Sequence, residues 1–328
     1  MDIDLPNEVP CSWSDERLFL RYVLPKIYTQ RISRPFGIYW SEALSYGRLW
    51  PEPNEAELSS FYNTKGYNNY LSGKPSNPRI NGNRSLLSRI LIKIAWFNDY
   101  GIVDPLPTIR NLANKSPEVC DLGCGAGTFL SQMRSLQAIP TGVDPSSHSA
   151  EALRIKNIEF HLGTAEALPS ALTNRRFDIV SMFQSLEHCR DPGLAVSNAV
   201  SLLKPDGLLV IDVPNMNCIG FKKYGPVWWH TDAGRHLHFF TKASLTKLLA
   251  GAGAKSTKWE HQGFVTQFTN EWIDEMAIVW DILFKDKPNS LPRPSLLHSL
   301  SYLPRALLSD KSRKYEIIRV YARRIGAS

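Results

Sequence analysis

Val119-Cys120-Asp121-Leu122-Gly123-Cys124-Gly125-Ala126-Gly127 is a short apolar run that passes into alternating glycines and then into the helix-like Thr128-Phe129-Leu130. Glycines at every second position let bare backbone run close beneath a ligand and turn sharply. The helix that follows points its N-terminus, with free N–H groups, at that ligand. The dinucleotide fingerprint G-x-G-x-x-G spaces its glycines differently, and the acidic Asp121 just before the loop is not part of it. Taken alone, such a loop also suits sugar-phosphate binders, flavin binders and purely structural strand–helix corners.

Outward from this loop, short apolar runs alternate with helix-like stretches. Strands are expected at Val119–Leu122, Thr141–Asp144, Ile158–Leu162, Phe177–Met182 and Leu208–Val213, and helices at Phe129–Leu136, Ser149–Lys156 and Leu194–Leu203. That alternation predicts an α/β, Rossmann-like fold with helices on both faces of a mostly parallel sheet. Lys242–Ala252 reads as a further helix ended by Gly253, and Lys255–His261 and Tyr315–Arg323 as two last strands. The total suits a seven-stranded sheet closed by an antiparallel strand.

The flanks read differently. Residues 1–116 read as an N-terminal extension or lid, with helices expected at Glu16–Tyr28 and Ser85–Tyr100 and a broken stretch at Arg31–Pro53. Residues 117–328 form the main domain, with a helical insertion at about 263–312 that is rich in Trp and aliphatic residues before a Pro-punctuated stretch. A helix packed on the body, a substrate lid, a dimer face and a membrane-surface contact all fit that insertion.

Composition narrows the classes. The 328 residues, 43% of them hydrophobic, suffice for a large core. The balance of 38 Lys and Arg against 31 Asp and Glu, a net +7, is mild and not gathered into blocks, so no nucleic-acid partner is expected. Cys11, Cys120, Cys124, Cys189 and Cys218 are odd in number and unpaired in spacing, as in a reduced, cytoplasmic protein. The acidic start lacks a basic, then apolar, leader, and no stretch approaches the length of a spanning helix. Oligomeric state is left open, with a dimer one option.

Asp144, at the end of the second expected strand, stands where a carboxylate accepts both hydroxyls of a ribose, although an N-cap role before Pro145 also fits it. Asp121, Gly123, Gly125 and Gly127 resemble the first motif of the class I S-adenosylmethionine-dependent methyltransferases, D/E-x-G-x-G-x-G. The run Gly163-Thr164-Ala165-Glu166-Ala167-Leu168-Pro169 is similar to that family's adenine segment. Phe183-Gln184-Ser185-Leu186-Glu187-His188, Asp191-Pro192, Leu202-Leu203-Lys204-Pro205-Asp206-Gly207 and Arg235-His236-Leu237-His238-Phe239-Phe240-Thr241 follow in the order of its ubiquinone-type and glycan-type members. The resemblance implies S-adenosylmethionine as cofactor, held by Asp121, Gly123, Cys124, Gly125, Gly127, Asp144, Pro145, Ala165, Glu166, Phe183 and Gln184, with Glu166 as adenine acceptor. S-adenosylhomocysteine would be the product.

Weaker likeness continues upstream, from Tyr46 to Pro53 and on to Tyr67 and Tyr70, in a segment where many relatives carry a Cys-x-x-Cys zinc knuckle. Here Ala43 and Tyr46 occupy those places, so no zinc is expected; no metal ligand is assigned, a divalent ion on Glu187, His188 and a substrate catechol being the minor alternative.

A sulfonium methyl is already electrophilic, so the protein must align a nucleophile and exclude water. A hydroxyl acceptor also gains about a hundredfold or more from a base, and an imidazole suits that role. His188 is the first candidate base, with Glu187 to orient it or to hold a substrate hydroxyl; a backbone-fixing role for the pair fits equally. His236 is the second candidate. Trp228, Trp229 and His238 are candidate substrate contacts, since aromatic walls bury an acceptor and attract a cation. His236 and His238, as alternate residues, point oppositely on a strand. The expected activity is O-methylation of a small-molecule, glycan or lipid-linked acceptor. C-methylation is the enzymatic alternative, and a non-catalytic cofactor-binding scaffold the alternative of another class. A nucleic-acid methyltransferase is disfavoured because Phe183-Gln184-Ser185-Leu186 replaces an amino-methylating Asn-Pro-Pro-Tyr tetrad.

Overall fold

A computed structural model describes residues 5–24, 34–62, 103–112, 116–264, 270–285 and 291–326, with isolated positions between 86 and 94. In chain order the first strands are β1 (Glu8–Pro10), β2 (Arg17–Leu24), β3 (Phe36–Ser41) and β4 (Tyr46–Trp50), followed by helices α1 (Glu55–Tyr62) and α2 (Leu106–Leu112). The body continues with β5 (Glu118–Leu122), α3 (Thr128–Ser135), β6 (Ile139–Asp144), α4 (Ser147–Ile155), β7 (Glu159–Leu162), β8 (Phe177–Phe183), α5 (Pro192–Ser201) and β9 (Leu203–Pro214). Then come α6 (Ile219–Tyr224), β10 (His238–Phe239), α7 (Lys242–Gly251), β11 (Ala254–Gln262), α8 (Asn270–Phe284), α9 (Leu296–Leu307), α10 (Lys311–Lys314) and β12 (Ile317–Arg324). The expected helix over Ser85–Tyr100 falls mostly outside the described residues, as do Tyr67 and Tyr70.

The main sheet has seven strands in the order β11-β12-β9-β8-β5-β6-β7. Pairs β9–β8, β8–β5, β5–β6 and β6–β7 are parallel, while β12 runs antiparallel to both β9 and β11. Val119 to Leu122 and Leu208 to Val213 are buried throughout, as parallel strands covered on both faces must be. After β5 the chain adds β6 and β7 on one side and then crosses to β8 and β9 on the other. The switch point, where such folds open a ligand crevice, therefore lies at the carboxyl ends of β5 and β8.

There the two loops touch. Gly123, Gly125 and Gly127 all adopt positive φ, 84°, 48° and 68°. A Cβ on Gly123 would lie 2.4 Å from Ser185 Cβ, and one on Gly127 would lie 2.7 Å from Leu153 Cδ1. Ser185 Oγ also donates to Leu122 O at 2.8 Å, which ties the turn after β8 to the end of β5.

The N-terminal region corrects the expected helix at Glu16–Tyr28. Leu18 and Leu24 are buried while Phe19, Arg21 and Val23 face solvent, which is the two-residue period of a strand. The β-branched and aromatic content of Arg17–Leu24 and its short length favour a strand over a helix. The stretch expected to be broken instead supplies the β3–β4 hairpin. These strands form an antiparallel sheet in the order β1-β2-β3-β4-β10, whose fifth strand comes from the main body. His238 pairs with Arg48 and Phe239 with Gly47, so the extension is sewn to the chain beside the histidine-rich segment.

One buried polar network clamps the site from below. Asp212 on β9 accepts from Gln184 Nε2 at 2.6 Å, Gln262 Nε2 at 2.6 Å and Arg319 Nε at 2.9 Å, and Arg319 Nη1 donates to Val103 O at 2.8 Å. All five cysteines are free and buried.

Two outcomes follow for stability. Arg319→Leu strands a buried carboxylate and should cost about 3–5 kcal/mol, read as a lowered midpoint in urea unfolding. Gly123→Ala forces a side chain into left-handed backbone against Ser185 and should cost about 1–3 kcal/mol in the same assay. A Gly251→Ala control, with nothing within 4 Å of the added atom, should stay within about 1 kcal/mol of the parent.

Candidate active site

The glycine loop is fixed by its own acids. Asp144 Oδ2 accepts from Gly125 N at 2.9 Å, and its Oδ1 accepts from Ser146 N and Ser149 Oγ, both at 2.9 Å. The loop thus wraps the carboxylate at the end of β6. Asp121 is 3% exposed and accepts from Ser181 Oγ at 2.7 Å. Burial, with a smaller contribution from Asp144, pushes its carboxyl up to about 7.

The remaining cofactor candidates surround this loop. Cys124 and Ala165 are buried and Pro145 is exposed. Phe183 packs on Phe129 with ring centroids 4.6 Å apart. Glu166 Oε1 accepts from Arg190 N at 2.7 Å, and Gln184 sits at φ 49° with its amide nitrogen spent on Asp212. Glu166 and Gln184 therefore each have one polar atom committed to the protein.

Past Ser185 the chain makes one tight turn, Leu186–His188, that buries Glu187 completely. Neither Glu187 carboxyl oxygen has a hydrogen-bond partner. Desolvation raises its pKa well above the ordinary carboxyl value, favouring the protonated form. Its backbone oxygen accepts from Leu237 N at 2.8 Å, drawing the Arg235–Thr241 segment against the turn.

This brings His188 and His236 together, with ring centroids 4.8 Å apart at 70°. His188 Nδ1 bonds Arg235 O at 2.9 Å and His236 Nδ1 bonds His230 O at 2.8 Å. A carbonyl only accepts, so both Nδ1 atoms carry the proton and both Nε2 atoms present a lone pair in the neutral rings. Burial lowers both imidazoles, His236 to about 3 with a further push from His188. His236 Nε2 stands 4.0 Å from Glu187 Oε1 and 4.0 Å from Asp232 Oδ2.

Asp232, which sequence reading passed over, is thus part of the cluster. Burial opposes its ionised form, yet Arg235 and His236 hold its pKa below the ordinary value. The spacing Asp232-x-x-Arg235-His236 was the available signal, since it places three complementary groups within one turn of chain. Ligand atoms of Glu187, His188 and His236 lie within 4.8 Å of one another, a set able to hold a divalent ion.

The substrate candidates divide. Trp229 stacks on Trp272 at 5.1 Å and lines a cavity against α8, together with Trp228, whose indole nitrogen donates to Glu316 at 3.1 Å. His238 faces the opposite way from His236. It bonds the Tyr46 hydroxyl through Nδ1 and Arg190 O through Nε2 at 3.3 Å, so both ring nitrogens are engaged by protein atoms.

With this geometry in hand, comparison with known proteins is direct. Residues 97–258 match the family model described as a methyltransferase domain. A ubiquinone biosynthesis O-methyltransferase of Bradyrhizobium diazoefficiens is 30% identical over 167 residues, 47% of this chain and 64% of that protein. A protein of the same name from Coxiella burnetii is 32% identical over 145 residues, 39% of this chain and 59% of its own. The chain thus spans less than two thirds of these curated relatives. Among solved structures, the 1,6-didemethyltoxoflavin-N1-methyltransferase of Burkholderia thailandensis is similar at a TM-score of 0.43 and 15% identity, covering 88% of this chain and 96% of that one. The order of parallel strands, the glycine loop at the switch point, the carboxylate closing β6 and the matched domain agree: residues 97–258 carry a methyltransferase domain of the class I, S-adenosylmethionine-dependent kind.

Proposed function

We propose that the protein transfers a methyl group from S-adenosylmethionine to a hydroxyl of a small-molecule acceptor. The observation that carries the reading is the pair of imidazoles on the turn after β8 and the segment packed against it, part-buried His188 and buried His236, with ring centroids 4.8 Å apart and each Nδ1 fixed on a backbone carbonyl.

The residues fit the cofactor. Gly123, Gly125 and Gly127 at positive φ turn the chain sharply into the N-terminus of α3, and the carboxyl groups of Asp121 and Asp144 lie at that turn. Asp121, Gly123–Gly127 and Asp144, with Pro145, Ala165, Glu166, Phe183 and Gln184, would hold it. The bound cofactor supplies an electrophilic methyl group on a sulfonium. His188 or His236 accepts the acceptor's hydroxyl proton at Nε2, while the Nδ1–H to a backbone carbonyl fixes each ring. Asp232, ionised and near His236, stabilises the imidazolium that forms. The buried turn, sealed by Leu186 and Leu237, excludes water from the transferring methyl.

The two histidines are separable. His188→Ala and His236→Ala should be assayed for release of S-adenosylhomocysteine and for its binding. The variant lacking the base should lose about a hundredfold in kcat with product affinity unchanged. Retention of rate within a few-fold in both would remove histidine base catalysis and favour either C-methylation by another group or a scaffold. Because burial holds both rings below the ordinary imidazole value, the acid limb of the kcat profile should fall below about pH 6.5.

Asp121 sets a second pH effect. Its carboxyl is ordinary, near 3.8, when unfolded but about 7 in the folded chain. Between those values the folded state holds a proton the unfolded state has released, so the empty protein loses stability as pH rises from about 4 to 7. A cationic cofactor beside the ionised carboxylate restores it. The thermal shift produced by S-adenosylmethionine should therefore grow from pH 6 to pH 8, and Asp121→Asn should abolish that growth.

A further inference from the structure

A mostly apolar cavity lies between Leu24 at the end of β2, the Pro226–Arg235 segment and helix α8. Its walls include Trp228, Trp229, Met276, Val279 and Leu283, and its polar groups are Asp232, Arg235 and Glu275. Asp232 belongs to two places at once: it lines the cavity, and its Oδ2 is 4.0 Å from His236 Nε2. The cavity therefore abuts the candidate base.

Its charges do not balance. The Arg235 guanidinium is bonded to Asp232, and Glu275 on α8 makes no ion pair or hydrogen bond among the described residues. Glu275 is part-buried among apolar side chains, and desolvation together with the nearby Asp232 raises its pKa, with Arg235 only partly offsetting them. A carboxyl in such surroundings is stabilised by an incoming cation and opposed by an incoming anion. The aromatic wall adds to that preference, since Trp229 presents an indole face and is backed by Trp272.

We propose that this cavity is the acceptor site and that it takes a flat apolar molecule carrying a protonated amine, with the ammonium at Glu275 and the body against Trp229 and Met276. The proposal rests on the methyltransferase reading above. It assigns α8, part of the insertion before the last strand, to acceptor selection, and it makes Glu275 the residue that sets acceptor charge.

Three probes share one body and differ in end group: tyramine, para-ethylphenol and para-hydroxyphenylpropionate. Their affinities are measured by calorimetry on the full chain saturated with S-adenosylhomocysteine. Tyramine should bind at least about tenfold tighter than either of the others. Glu275→Gln should erase the difference, and Glu275→Lys should turn the preference toward the propionate. Val279→Trp, which fills the cavity, should abolish binding of all three while S-adenosylhomocysteine affinity and circular dichroism stay as in the parent. Equal affinities, tightest binding of the propionate, no binding by any probe, or an amine preference that survives Glu275→Gln would overturn the proposal. Failure of the parent to bind S-adenosylhomocysteine at all would instead overturn the methyltransferase reading, so the two failures are distinguishable.

Discussion

The contact on which the rest depends is the near-touch of Gly123 and Ser185 across the switch point. Parallel strands β5 and β8 end side by side, and the loops leaving them must share one small volume. Only a residue without Cβ lets the β5 loop pass under Ser185, whose hydroxyl then bonds back to Leu122. That contact aims the glycine loop along Asp144 and starts the turn that carries Glu187 and His188. The glycine loop and the turn carrying Glu187 and His188 are therefore the two arms of one loop junction.

Charge is distributed around that junction in two ways. Below it, Asp212 and Arg319 are buried as a matched pair with every strong donor and acceptor used, which makes a rigid support for Gln184. Above it, among the described residues, the groups are mismatched: the buried Glu187 carboxyl has no hydrogen bond, His236 stands at 4.0 Å from two carboxyl groups, and Glu275 makes no ion pair. Satisfied networks stiffen a fold, whereas buried polar atoms left without partners carry a desolvation cost that a ligand can relieve. The contrast separates the part of the molecule built to stay from the part built to receive.

Much of the main domain was legible in the residues. Val119–Leu122, Thr141–Asp144, Phe177–Met182 and Leu208–Val213 each lie within observed strands, because buried parallel strands write continuous apolar runs and their turns write Gly, Pro and Asp. The N-terminal region was misread at Arg17–Leu24, where apolar residues on both faces of a short strand imitate helical spacing. Its sheet depends on β10, a two-residue strand lying far downstream, and no local pattern records a pairing between Arg48 and His238. Asp232 and Glu275 escaped notice for a related reason: a lone acid is common, and its meaning comes from what packs around it.

What the sequence by itself determined is the cofactor-facing edge: the strand, the alternating glycines, and the acids Asp121 and Asp144, since backbone freedom and strand ends are local properties. The identity and tautomers of the histidine pair, the isolation of Glu187 and the cavity on α8 were decided only in three dimensions. They arise where residues 187, 188, 232, 236 and 275 converge from separate elements, and desolvation and hydrogen-bond partnership are properties of that convergence rather than of any one segment.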